Sequence, residues 1–276
     1  MKSINCKGKL VHFDTPKVMG ILNSTPDSFF DGGNYTTEKE LLHQTEKMLS
    51  EGATFIDVGA YSSRPGATAI SEEEELQRII PVIELLVKEF PEIIISVDTF
   101  RSGIAQKTIE SGAAMINDIS GGTMDFNMFK TVAKLQVPYV LMHMLGTPQT
   151  IQENPRYENI TTELISFFAE QLFTLRQLQV NDLIIDVGFG FGKTTAHNFE
   201  LLKNLHLFKS LDVPILAGVS RKSMLYKPLN ISPKEALNAT TSANTIALLN
   251  GATLLRVHDV KEAMEAIKIV EKLHVK

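Results

Sequence analysis

Eight short apolar runs along this chain each end in residues that can ionise or bind a ligand. Asn23 closes VMGILN (18–23), and Asp57 lies in TFIDVGA (54–60) with Arg64 in the loop that follows. Asp98 ends IIISVDT (93–99), and Asn117 and Asp118 lie in AMINDIS (114–120). His143 belongs to PYVLMHM (138–144) and Asp186 to LIIDVGF (183–189). Ser220, Arg221 and Lys222 follow PILAGVS (214–220), and Arg256 and His258 lie in TLLRVHD (253–259). Any one of them, alone, reads equally well as a strand cap or an ion pair. As a set they sort by chemistry. Asp98, Asn117 and Asp186 offer the donors and acceptors that read the edge of a planar heterocycle. Arg64, Lys222, Arg256 and His258 suit a phosphate or diphosphate. Lys222 could also serve as a Schiff-base nucleophile, but Arg221 beside it favours an anion clamp.

The stretch DVGFGFGKTT (186–195) imitates a phosphate-binding loop. A P-loop needs four residues between its first Gly and the Gly-Lys-Ser/Thr, and Gly188 to Gly192 leaves three. The dinucleotide pattern G-x-G-x-x-G fails too. The useful residue is then Asp186, with glycines that turn the backbone off a strand beside a flat ligand. Phe191 is expected to pack near that ligand, and Lys193 to be a supporting charge. No G-x-S-x-G elbow or H-E-x-x-H pair is present, which removes two hydrolase classes.

Short β-branched runs separated by helical patterns are strands buried on both faces, as in a parallel sheet. Helix starts are legible as Thr37 with Glu40, Ser71 with Glu74, and Ser232 with Glu235, the last with Pro233 at the first helical position. Gly52, Gly112 and Gly251 fall where helices should stop, and Pro81 should kink its helix. Eight strand–helix units predict an α/β fold, a closed (β/α)8 TIM barrel, with INCKGKLVHF as a short N-terminal β-hairpin over its floor. Chemistry in such barrels gathers at the C-terminal strand ends, which is where the polar residues fall. The loops NSTPDSFFDGGNY (23–35) and YSSRPGATAIS (61–71) exceed the usual βα length. With Phe29 and Phe30 they read as lids.

The 276 residues carry a net charge of −5, 43% hydrophobic and 21% charged residues. That suits a soluble protein with a large core and gives no global attraction for nucleic acid or an anionic membrane. The single cysteine, Cys6, allows no internal disulfide. No apolar run is long enough to span a bilayer, and the first residues lack a signal-peptide core. The expectation is one domain over 1–276, in the cytoplasm.

Together the motifs NSTPDSFFDGG, SSRPGA, SVDTF (96–100), INDISGG (116–122), LMHMLGTP (141–148), GFGFGK (188–193), SRKS (220–223) and RVHD (256–259) resemble the dihydropteroate synthase family, in its order and over essentially the whole chain. The resemblance implies condensation of (7,8-dihydropterin-6-yl)methyl diphosphate with 4-aminobenzoate, with Mg2+ as cofactor and a homodimer as the assembly. It implies that Asp98, Asn117, Asp186 and Lys222 hold the pterin, alongside Met144 and Phe191. Arg64, Arg256 and His258 would bind diphosphate with Ser63, and Asn23 would contribute to the metal site. Phe29, Pro65 and Ser223 would shape the aminobenzoate site, and Asp31 would close the first loop. Asp98, Lys222, Asp31 and Arg64 are the implied catalytic set. Ser63, Tyr61 and Val187 depart from the family's usual Thr, small or acidic residue, and Pro. A barrel moving a methyl group from reduced folate, or a non-catalytic pterin-binding partner, would share the Asp and Asn residues. The first has no use for a diphosphate clamp, and the second should lack one of the key side chains.

Overall fold

A computed structural model describes residues 2–23, 38–61, 70–146 and 155–274. An antiparallel hairpin, β1 (Ser3–Cys6) and β2 (Lys9–His12), precedes the barrel. The barrel strands are β3 (Lys17–Asn23), β4 (Phe55–Gly59), β5 (Ile95–Asp98) and β6 (Met115–Asp118). They continue as β7 (Tyr139–Met142), β8 (Leu183–Asp186), β9 (Ile215–Ala217) and β10 (Leu254–Val257). All pair in parallel with their sequence neighbours, and β10 closes on β3.

The described helices are α1 (Glu38–Ser50), α2 (Glu72–Glu89), α3 (Ser102–Glu110), α4 (Met128–Leu135) and α5 (Ile160–Gln177). They are followed by α6 (Thr195–Asn204), α7 (Ser223–Leu229), α8 (Leu237–Leu249) and α9 (Val260–His274). Among the described residues, strict alternation gives way between β9 and β10, where α7, a 3-10 turn at Pro233–Glu235 and α8 all lie, and a 3-10 segment at Leu205–Leu211 follows α6 before β9.

Strand periodicity of two divides each barrel strand between two cores. Met19, Phe55, Met115, Val140, Ile184, Leu216 and Leu254 form one cluster with Ile4, Cys6, Val11 and Phe13 of the hairpin region. Val18, Ile56, Val58, Ile95, Val97, Ile116, Leu141, Ile185 and Leu255, of the opposite parity, pack in the larger cluster with the helices. The first set therefore fills the barrel axis, and the hairpin plugs its lower mouth. Polar ties agree: Asn5 N–H donates to Asp182 (3.0 Å), Lys2 Nζ to the Val213 carbonyl (3.1 Å) and Lys7 Nζ to the Gly112 carbonyl (3.0 Å). Those partners precede β8, β9 and β6. Each large apolar side chain of the plug contributes about 1.5–3 kcal/mol by leaving water. Cys6 belongs to it, and burial, with Asp182 adding, pushes its thiol up to about 12.

The helix signals mostly hold. Ser71 Oγ accepts the Glu74 N–H (3.1 Å), although the Glu74 carboxylate pairs with Arg78 instead of completing the box. Ser232 and Glu235 do form a reciprocal box with Pro233 inside it, but it opens the 3-10 turn, and α8 starts two residues later. Thr37 lies outside the described residues. Gly52, Gly112 and Gly251 follow helices with φ of 107°, 110° and 100°, a conformation that costs glycine little. Pro81 sits inside α2, which runs on uninterrupted. The apolar stripe of α9 (Val260, Ala263, Ala266, Ile267, Val270) is buried against the barrel.

Candidate active site

One step up each strand from the apolar axial layer, at the same inward parity, stand Asp57, Asp98, Asn117, Asp186 and Arg256. Phe55 leads to Asp57, Met115 to Asn117, Ile184 to Asp186 and Leu254 to Arg256. Arg256 Nε donates to Asp57 Oδ2 (2.6 Å) and Nη2 to Asp98 Oδ2 (2.8 Å). Asn117 Nδ2 donates to the same Asp57 oxygen (3.0 Å), which orients its amide, and the buried Asp57 Oδ1 has no hydrogen-bond partner. Grouping Arg256 with the anion-binding cations did not foresee this pairing: its guanidinium is seated between two carboxylates in the barrel mouth. Burial opposes its charge, but Asp57 and Asp98 more than offset that, and Arg256 stays cationic.

Across the mouth, Asp186 Oδ1 accepts the Gly188 N–H (2.8 Å). Lys222 precedes α7, donates through Nζ to the Phe189 carbonyl, and lies 4.7 Å from the Phe191 ring centre. Burial lowers the Lys222 ammonium to about 8, with Asp186 resisting. Between acid and ammonium lies Gly218, whose missing Cβ would stand 3.7 Å from Asp186 Oδ2 and 3.8 Å from Lys222 Nζ. Beside them Met144 shares an apolar cluster with Phe100, Ile119 and Met142, against which Phe191, Tyr61 and Met124 pack. A flat ring placed in this mouth would meet polar edges on one side and an apolar wall on another.

The glycines of DVGFGFGKTT have φ of 69°, 82° and 65° at 188, 190 and 192. A Cβ would come within 2.1 Å of the His143 carbonyl at Gly188 and 2.6 Å of the Leu145 carbonyl at Gly192. Gly188 and Gly192 therefore serve a close approach between the loops after β7 and β8.

His258 and Ser220 are joined: the Ser220 hydroxyl bonds His258 Nδ1 (2.9 Å), and the His258 backbone N–H donates back to Ser220 Oγ (3.2 Å). Arg221 does not serve the anion clamp expected of it. It forms a two-toothed pair with Asp259 (both 2.9 Å) and donates to the Pro233 and Lys234 carbonyls, fastening β9's loop to β10's. Ser223 opens α7 half-buried. Asn23 ends β3 beside Gly59. Phe29, Asp31, Ser63, Arg64 and Pro65 lie outside the described residues. Arg101 brackets the second of those segments, donating to the Ile70 carbonyl (2.7 Å) and to buried Glu75, with its guanidinium 5.4 Å from the Tyr61 ring centre. Val187 is fully buried.

Two of the sequence expectations divide here. Asp118, next to Asn117, has the outward parity and is spent on the Tyr139 hydroxyl (2.6 Å), Ser120 and the Gly122 N–H (2.8 Å). Asp57 was visible as a strand-end carboxylate but carried no assigned role. Its parity with Phe55 was the signal, because a charge on the barrel axis must be paired there.

Burial pushes the Asp98 carboxyl from 3.8 to about 7, Arg256 opposing and Asp57 adding. A carboxyl raised in the folded state stabilises it at low pH, and that contribution is lost as pH rises through about 7. Wild type should therefore lose stability between pH 4.5 and 7.5 relative to Asp98→Asn, measured by urea unfolding. Parallel pH profiles for the two proteins would refute the assignment.

Residues 19–258 match the family described as pterin binding enzyme. The chain is 42% identical over 267 residues to the dihydropteroate synthase of Escherichia coli strain K12, covering 96% of this chain and 94% of that protein. It superposes on Xanthomonas albilineans dihydropteroate synthase with 4-aminobenzoic acid at a TM-score of 0.92, with 39% identity and coverage of 99% and 98%. The X. albilineans enzyme in complex with 7,8-dihydropteroate gives 0.88, with 36% identity and 99% of both chains. With the barrel, its acid-lined mouth and these likenesses in hand, the chain belongs to the pterin-binding enzyme family, with the dihydropteroate synthases.

Proposed function

We propose that this barrel mouth condenses (7,8-dihydropterin-6-yl)methyl diphosphate with 4-aminobenzoate to give 7,8-dihydropteroate and diphosphate, as a dihydropteroate synthase of folate biosynthesis. The observation that carries the reading is the set of buried Asn117 and Asp186 with half-buried Asp98 and Lys222 around Arg256, facing the Phe191 and Met144 wall, in a chain of this family. The relatives solved with 4-aminobenzoic acid and with 7,8-dihydropteroate support the same substrate and product.

The carboxylates and amide hold the donor-rich edge of the pterin, and Lys222 binds the ring over Phe191. The bond from the exocyclic methylene carbon to the diphosphate oxygen breaks, and its electron pair leaves with diphosphate. The aniline nitrogen then bonds that carbon and releases a proton to solvent. An electron-rich pterin stabilises the electron-poor carbon, so the path is SN1-like and needs no strong base. His258, Arg64 and Ser63 receive the departing charge, as preorganised donors do best where charge develops. Phe29, Pro65 and Ser223 would complete the 4-aminobenzoate side under two closing loops, with Asp31 helping to close the first.

Mg2+ fits this donor set, because it commonly takes one or two protein oxygens together with substrate phosphates and water. Among the described residues no group of three His, Cys, Asp or Glu is placed to hold a metal. Asn23, brought to the rim by its register with Gly59, would contribute to holding it, and the ion would neutralise diphosphate charge. Diphosphate release should require both substrates and fall on chelation. No release with both substrates and Mg2+ would sink the assignment. Positional isotope exchange without 4-aminobenzoate should reveal early C–O cleavage, and its absence together with a failure to trap the cation would remove the SN1-like path.

The assembly we propose is a homodimer, in the cytoplasm. Ile246 and Leu249 on α8 and Ile269 and Leu273 on α9 are exposed on neighbouring helices, which suits such a contact. A monomer in sedimentation velocity at micromolar concentration would count against it. Among the described residues no helix is long and apolar enough to cross a membrane.

A further inference from the structure

Among the described residues, Lys193 is an ammonium near the mouth that the reaction scheme leaves without a task. It is 8% exposed. Its Nζ meets three acceptors: His143 Nδ1 (3.1 Å), the His143 carbonyl (3.1 Å) and the Phe191 carbonyl (2.9 Å). An ammonium has three N–H donors and no acceptor, so the count closes. The first two partners follow β7, and the third lies on the loop after β8. Phe191, held by its carbonyl, presents the ring over which Lys222 sits. The Lys193 side chain also passes close to Gly188, where a Cβ would stand 3.3 Å from Nζ.

We infer that Lys193 is a positioning residue for the pterin side of the site: it ties the loops after β7 and β8 together, sets the Phe191 ring beneath Lys222, and helps keep Asp186 ionised. The inference rests on the pterin reading given above. Its electrostatic part has support on both sides. Burial raises the Asp186 carboxyl, and Lys222, the Gly188 N–H, Arg256 and Lys193 oppose that rise. Burial lowers Lys193 to about 7, with Asp186 holding it up and Lys222 pushing it down. Burial first and then the Lys193 charge lower His143 to about 3, so the imidazole stays neutral and Nδ1 accepts. Below neutral pH Lys193 is therefore the protonated partner, and losing it should move Asp186 upward.

The test compares wild type, Lys193→Met and Lys193→Gln in steady-state assays with both substrates across pH 5 to 9. Wild-type turnover checks the pterin reading itself, so a failure of that reading is seen separately. Lys193→Met removes both tether and charge, whereas Lys193→Gln keeps donors without charge. Both should shift the acid limb of kcat/KM for the pterin diphosphate to higher pH. Lys193→Met should also raise KM for that substrate about tenfold, the loss of one charge-assisted hydrogen bond, with KM for 4-aminobenzoate within about threefold. A merely structural lysine would lower melting temperature and leave both the pH limb and the KM ratio in place. An active wild type with unmoved pH limb and KM in folded Lys193→Met overturns the inference. Should that variant not fold, an unmoved limb in Lys193→Gln does the same.

Discussion

Arg256→Met should destabilise the protein by about 3–5 kcal/mol, the usual cost of breaking a buried ion pair on one side, and remove measurable turnover. The pair need not stabilise the fold relative to an apolar core of equal volume. What costs energy is the remainder. Asp57 is buried and would keep only the Asn117 amide on Oδ2, its other oxygen being already unpartnered, and Asp98 would lose its 2.8 Å donor. Two stranded carboxylates then relieve themselves by taking up protons. The penalty should therefore be larger at pH 8 than at pH 5, and the double variant Arg256→Met, Asp57→Asn should recover part of it. Urea unfolding at both pH values measures this. A change under about 1 kcal/mol at pH 8, the range of an exposed pair, would show that Arg256 is solvated and not the centre of the mouth. Activity goes with it, because the orientation of Asn117 depends on Asp57 and that of Asp57 on Arg256.

Asp186→Asn is expected to act oppositely on stability and on function. An amide at this position presents N–H where the pterin edge also presents N–H. A lost hydrogen bond to a charged group is worth about 1.5–3 kcal/mol, and a donor facing a donor adds to that. We expect kcat/KM for the pterin diphosphate to fall about 10²- to 10³-fold, with KM for 4-aminobenzoate nearly unchanged. Stability should hold or rise. Burial raises the Asp186 carboxyl despite Lys222 nearby, so folding works against its ionised form, and a neutral amide removes that conflict. Asn can still accept the Gly188 N–H through its carbonyl. Steady-state kinetics varying each substrate, with thermal melts at pH 7.5, give both readouts. Equal losses for the two substrates, or a melt lowered by many degrees, would place Asp186 in the scaffold and not against the ligand.

Much of this architecture is local and therefore legible. Eight β-branched runs, the glycines after α1, α3 and α8, and the Ser71 cap each declare themselves within a few residues. Elsewhere local grammar left more than one outcome open. Ser232, Pro233 and Glu235 form the expected cap, yet it opens a 3-10 turn. Pro81 lies inside a helix that continues past it and packs through Ile79, Ile83 and Leu86.

The sequence by itself determined the barrel, the plug at its lower mouth, and which residues reach the upper rim, since alternation along a strand decides what faces the axis. It could not decide which charges meet. Arg256 and Asp57 are 199 residues apart, Lys193 and His143 are 50 apart, and Arg221 finds Asp259 at 38. Pairing of that kind follows from closure of the barrel, which brings distant strands side by side and removes water from their ends. Once water is gone, each buried charge takes whatever partner lies across the mouth, and composition along the chain carries no record of that choice. Closure made Arg256 the centre of the acids, Arg221 a brace and Lys193 a tie between two loops.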